Sequence, residues 1–137
     1  QTWKDLNTNW LVQNKAQHTA ANDLKILPSG LQYESFHDGY GAIPKPTNSY
    51  VQVTYTAKLI DGTVCDSGSE KWLKVSDLIS GWQEALCMMR QGSHWKIYVP
   101  YTSAYGEDGS KATGGNFHVP PYSTMIFDIE LNDVLNY

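Results

Sequence analysis

Four histidines, two cysteines and fourteen acidic residues are the groups with which this 137-residue chain could hold a metal or move a proton. Their spacing favours neither. His18, His37, His94 and His118 are scattered with no HxxxH or His–Cys spacing, so no metal site is expected. Cys65 and Cys87 lack a CxxC arrangement and read as two free thiols, with a single bridge between them as the alternative. The acids are dispersed with no sign of a paired-carboxylate mechanism. No GxSxG, Walker loop or GxGxxG occurs, and no cofactor is indicated. The aromatics are more informative, with five Trp and nine Tyr. Such residues form core or line an apolar cleft for a peptide or small molecule. Asp66 follows Val64-Cys65 directly, as a turn residue or as an acid beside an apolar cluster with a bound partner.

Elements must bring these residues together, and the chain is long enough to bury a core around them. A hydrophobic content of 41% and a charged content of 18% are those of a globular protein. A net charge of −4 with ten dispersed Lys and Arg argues against a nucleic-acid partner. No apolar run approaches the roughly 20 residues of a membrane span. The chain opens at Gln1, which implies processing, such as removal of a secretory signal, or trimming.

Two regions meet near Leu27. In the first, Trp3, Leu6 and Trp10, then Ala20, Ala21 and Leu24, predict a helix that Pro28-Ser29-Gly30 ends. Its thin apolar stripe needs a surface for the tryptophans, either the main domain or a second subunit in a homodimer. Beyond it, Leu31 to Asp38 reads as a short strand. Tyr50 to Ile60 alternates without a break, with Val51, Val53, Tyr55, Ala57 and Leu59 on one face. Asp61-Gly62 predicts a two-residue hairpin turn. Ser80-Gly-Trp-Gln83 has the form of a capping box, and Trp82, Ala85, Leu86 and Met89 make one helical stripe that Gly92 stops. Trp95, Ile97 and Val99, then Met125, Phe127, Ile129 and Leu131, alternate as two more strands. The sum is an α+β domain, an antiparallel sheet with one helix covering a face.

Several stretches then become recognisable. Val51-Gln-Val-Thr-Tyr-Thr-Ala-Lys-Leu-Ile-Asp-Gly-Thr-Val-Cys-Asp-Ser67 resembles the strand–turn–strand of FKBP-type peptidyl-prolyl isomerases. Leu78-Ile-Ser-Gly-Trp-Gln-Glu-Ala-Leu-Cys-Met-Met89 resembles the family's helix. Tyr105-Gly106, Val119-Pro-Pro121 and Met125-Ile-Phe-Asp-Ile-Glu-Leu131 resemble its last loop and strand. The likeness runs in order over positions 27–134. Leu27-Pro-Ser-Gly-Leu-Gln-Tyr33 with Gly39-Tyr-Gly41 is similar to the subgroup of macrophage infectivity potentiator proteins, most of which are exported.

The resemblance implies a curved antiparallel sheet wrapped around one short helix, with residues 1–26 a helical extension and 27–137 the isomerase domain. It implies Trp82 as a pocket floor and Tyr55, Tyr105 and Phe127 as walls, with Asp66 accepting a hydrogen bond from Tyr55. Leu78, Ile79 and Val119 would contact substrate, the Ile79 amide would bond a ligand carbonyl, and Trp72 or Leu73 would replace a wall Phe. Cys65 stands where the family usually has Phe, which would widen the pocket. His118, where an aliphatic residue is common, ends a long Gly-rich loop from Glu107 that would border it. The implied activity is prolyl cis–trans isomerisation in polypeptides, assisting folding, with macrolide inhibitors as further ligands. The alternatives are a peptide-binding or chaperone module with weak or lost turnover, and a partner-binding domain that uses the N-terminal helix. A periplasmic or cell-envelope location follows from the subgroup, with the cytoplasm as the alternative.

Overall fold

The computed structural model describes residues 2–17, 24–110 and 118–136. Six antiparallel strands form one sheet: β1 (Lys25–Ile26), β2 (Gln32–His37), β3 (Ser49–Lys58), β4 (Val64–Lys74), β5 (His94–Val99) and β6 (Met125–Asn136), in the spatial order β1-β2-β5-β6-β3-β4. Helix α1 spans Trp3–Gln17 and helix α2 spans Ser80–Leu86. The alternation read in β3 is the burial observed, with Val51, Val53, Tyr55, Ala57 and Leu59 all buried. β6 contributes Met125, Phe127, Ile129 and Leu131 to the same face, and β5 contributes Trp95, Ile97 and Val99. The predicted stripe Trp82, Ala85, Leu86 and Met89 closes this core from the other side. Gly81 lets α2 approach β5 closely, since a Cβ there would stand 2.5 Å from Val99 Cγ1.

Four local expectations are corrected. The N-terminal helix is described over Trp3–Gln17, Ala20 and Ala21 lie outside the described residues, and Lys25–Ile26 is a strand where helix was expected. Pro28-Ser29-Gly30 therefore closes the β1–β2 hairpin, with the Gly30 N–H donating to Leu27 O at 2.9 Å. The β3–β4 turn is not the two-residue type. Gly62 N–H bonds Leu59 O, Leu59 N–H bonds Thr63 O, and Gly62 takes φ +90°, so a turn through Ile60-Asp61 is followed by a left-handed bulge residue. The capping box is absent. Ile79 is the N-cap residue of α2, and the Gln83 amide donates to Leu78 O at 2.7 Å. Lastly, α2 stops at Leu86, and Gly92, at φ +97°, serves the following turn.

The tryptophan-bearing face of α1 rests on its own domain. Trp3 Nε1 donates to Ser123 Oγ, and the Trp10 and Tyr98 rings lie 5.6 Å apart. Most of the docking is polar, however. The buried Asn7 accepts from the Thr124 N–H at 2.7 Å, and the buried Asn14 donates to Gln32 Oε1 at 2.8 Å. Gln32 in turn donates to Leu11 O. A buried amide needs such partners, which makes each of these contacts specific in position. The helix has a thin apolar stripe because asparagines do much of its anchoring.

Candidate active site

Between the concave sheet face, the 3-10 turn Val75–Asp77, the start of α2 and Tyr105 lies an open cavity of about 290 Å³. Trp82, on the first turn of α2, is buried beneath it. The Tyr55 ring from β3 meets Trp82 edge-on at 5.2 Å and 89°, and the Phe127 ring from β6 meets it at 5.3 Å and 90°. Edge-to-face pairs of this kind contribute about 0.5–1.5 kcal/mol each beyond area burial, so the three rings hold one another in place. Leu73, Leu78, Ile79 and Tyr105 complete the apolar wall. Ile79 O accepts the N–H groups of Trp82 and Gln83, while the Ile79 N–H donates to none of the described residues.

The polar groups are few and mostly committed. Tyr55 Oη donates to Asp66 Oδ2 at 2.8 Å, and Asp66 Oδ1 accepts the Ser67 N–H at 2.8 Å. Burial, then the bond to Asp66, raises the Tyr55 phenol well above its ordinary value. Burial, then the charges of Asp66 and Cys65, pushes Tyr105 up to about 12. Both phenols are therefore neutral donors at any ordinary pH. A raised phenol value means that the folded state holds its proton more tightly than the unfolded chain, so this stability is full below pH 10 and lost as pH rises towards 12. The urea midpoint is expected to fall over that alkaline window, with no loss attributable to these tyrosines between neutrality and pH 10. A midpoint already falling with tyrosine ionisation near neutrality would contradict this.

The cavity brings together Tyr55, Asp66, Leu73, Leu78, Ile79, Trp82, Tyr105 and Phe127 of the residues singled out from sequence. It does not include Cys65, Trp72, His118 or Val119. Cys65 is buried in the core, its thiol 4.0 Å from Thr63 O, and Cys87 is likewise unbridged. Val119 is buried and paired with Ser110, and His118 is exposed beside it. The rest of the long loop, 111–117, lies outside the described residues. Between Trp72 and Leu73 the register decides. Tyr55 pairs with Gly68 and Val53 with Lys71, so Ser69 and Glu70 stand opposite Thr54 alone. Glu70 takes φ +48° in this bulge. One extra residue reverses which side chains face inward. Lys71 and Leu73 thus line the cavity while Trp72 is 42% exposed. Lys71 and Asp77 are lining residues that sequence reasoning missed; adjacency to Leu78 could have signalled Asp77.

Residues 41–132, about two thirds of the chain, match the model of the family described as FKBP-type peptidyl-prolyl cis-trans isomerase. The chain belongs to that family. Among its FKBP-type relatives, the 22 kDa peptidyl-prolyl cis-trans isomerase of Escherichia coli (strain K12) is 45% identical over 111 residues, covering 78% of this chain and 51% of that one. The macrophage infectivity potentiator of Trypanosoma cruzi is 40% identical over 119 residues, covering 84% and 58%. The outer membrane protein MIP of Legionella longbeachae is 43% identical over 133 residues, covering 89% and 54%. The chain thus spans about half the length of these curated relatives. The crystal structure of FkpA from Escherichia coli superposes with a TM-score of 0.83 at 29% identity, over 97% of this chain and 61% of that one. Its α+β architecture, a curved antiparallel sheet with one short helix and an N-terminal helix, is that of FKBP-type isomerases.

Proposed function

We propose that this cavity receives a prolyl residue of a polypeptide and accelerates cis–trans rotation of the Xaa–Pro bond before it. The observation that carries this reading is the cavity floor, where Trp82 is flanked edge-on by Tyr55 and Phe127 and the Tyr55 hydroxyl is already bonded to Asp66. A planar amide owes its barrier of ~18–20 kcal/mol to resonance that places partial charge on oxygen and nitrogen. Twisting the bond removes that charge separation. An apolar pocket solvates the polar planar form poorly and the less polar twisted form relatively well, which is preferential binding of the transition state. The pyrrolidine ring would sit over Trp82 between the other two rings. The Ile79 N–H, which has no acceptor among the described residues, is free to hold a substrate carbonyl. This mechanism needs no nucleophile, metal or proton transfer. Macrolide inhibitors would occupy the same floor and compete with substrate. A cell-envelope location is supported by the relative named as an outer membrane protein.

A protease-coupled assay on a short peptide with an apolar residue before proline tests the reading. The uncatalysed step takes ~10–100 s at 25 °C, so modest acceleration is measurable. No acceleration by folded protein would overturn isomerase activity. Asp66→Ala is expected to slow turnover about tenfold, equivalent to ~1.4 kcal/mol. It should cost about 1–2 kcal/mol of stability through the released tyrosine hydroxyl. Full activity in Asp66→Ala would mean that the Tyr55–Asp66 bond serves structure alone.

A further inference from the structure

The cavity has a charged rim as well as an apolar floor. Its lining carries three charged side chains, Asp66, Lys71 and Asp77. Asp66 is engaged by the Tyr55 hydroxyl and the Ser67 N–H. Lys71 is in a different situation. The bulge at Ser69–Glu70, held by the Glu70 N–H donating to Thr54 Oγ1 at 3.1 Å, turns Lys71 towards the cavity. Its stem lies beside Gly68, the residue paired with Tyr55 across the strands. A Cβ built on Gly68 would lie 2.7 Å from Tyr55 Cε1 and in ordinary contact, 3.4 Å, with Lys71 Cδ, so glycine at 68 makes room for the Tyr55 ring with the lysine stem beside it. A lysine laid along apolar surface keeps its ammonium at the wet edge. The one ion pair found among the described residues joins His94 to Asp128, leaving the Lys71 ammonium unneutralised.

We propose that Lys71 is a specificity residue that favours polypeptides with an acidic side chain next to the proline. This inference rests on the isomerase reading of the same cavity. With the prolyl ring over Trp82, the flanking residues of the substrate emerge at the rim, where Lys71 stands. An acid there meets the exposed Lys71 ammonium at close range, a screened but attractive contact. A base meets repulsion. Asp77, on the 3-10 turn, places the opposite sign on another part of the rim. The preference assigned to Lys71 is therefore read best as the change when its charge is reversed.

The experiment uses peptides alike except for Glu, Gln or Lys before proline, and a second set with the same residues after it. Each is assayed with the unaltered protein and with Lys71→Glu, whose fold is checked by circular dichroism. The Glu:Lys ratio of kcat/KM is expected to fall roughly tenfold in Lys71→Glu in at least one set, as several screened charge contacts change sign. The change should lie in KM, because such a contact is made equally in the ground and transition states. It should shrink at high salt. An unchanged ratio in both sets, with the Gln peptides turned over normally, overturns the role of Lys71 and leaves the isomerase reading standing. Gln peptides that the unaltered, folded protein fails to turn over remove both.

Discussion

Replacing Trp82 by alanine is expected to abolish isomerase activity and to lower stability by about 3–5 kcal/mol, the range for buried aromatics. Both effects have one source. The indole is 4% exposed and braced by Tyr55 and Phe127, so its removal opens a void into which either ring can turn. The hydrophobic loss and the cavity term add, and the surface on which a prolyl ring would rest disappears. Urea unfolding and the peptide assay measure the two losses separately. Trp82→Phe separates them further, since it restores much of the volume without the indole's breadth; it should recover more stability than activity. A folded Trp82→Ala with undiminished turnover would show that the chemistry happens elsewhere.

The second large effect is expected far from the rings. Gly39→Ala should destabilise the domain by about 3 kcal/mol, the upper part of the overpacking range. A Cβ at 39 would lie 2.0 Å from Gln91 O and 2.7 Å from the Gly92 carbonyl carbon, both backbone atoms with little freedom to retreat. The segment cannot slide away, because Gly39 N–H donates to Ser93 Oγ, Gly41 N–H to Gln91 O and Gln91 N–H to Ala42 O. These bonds lace the loop before β3 to the turn after α2. Turnover per folded molecule should be retained, because none of these residues lines the cavity. A variant within about 0.5 kcal/mol of the parent would mean that the two segments part easily.

The features legible in the sequence were those written in residue type and period. Val51, Val53, Tyr55 and Ala57 alternate in β3, with Leu59 just beyond it, and hydrophobicity alone puts that face inside. The stripe from Trp82 to Met89 is legible for the same reason, and the family resemblance adds which of these buried rings meet. Three features carry no such signal. Pro28 and Gly30 interrupt helix and strand alike, so a hairpin and a helix end look the same until β1 finds its partner in β2. Asn7 and Asn14 dock α1 by amide hydrogen bonds, and their polarity suggests an exposed face. Lys71 faces the cavity because Glu70 adopts φ +48°, a conformation that glutamate does not advertise. The Ser80–Gln83 spacing misled differently: the Ile79 carbonyl already starts the helix, and Gln83 bonds elsewhere.

The bulged strand β4 also ends the sheet on one side, as β1, two residues long, ends it on the other. An exposed, regular edge offers unpaired N–H and C=O groups on which a foreign extended segment can crystallise as a new strand. Here the register slips twice along β4, between Val53 and Tyr55 and again between Ala57 and Lys58, and charged or small residues crowd the stretch between. The extended, proline-containing chains proposed as substrates would present such segments at every encounter. The irregular border would let the cavity take a prolyl residue without the substrate's backbone adding itself to the sheet as a further strand.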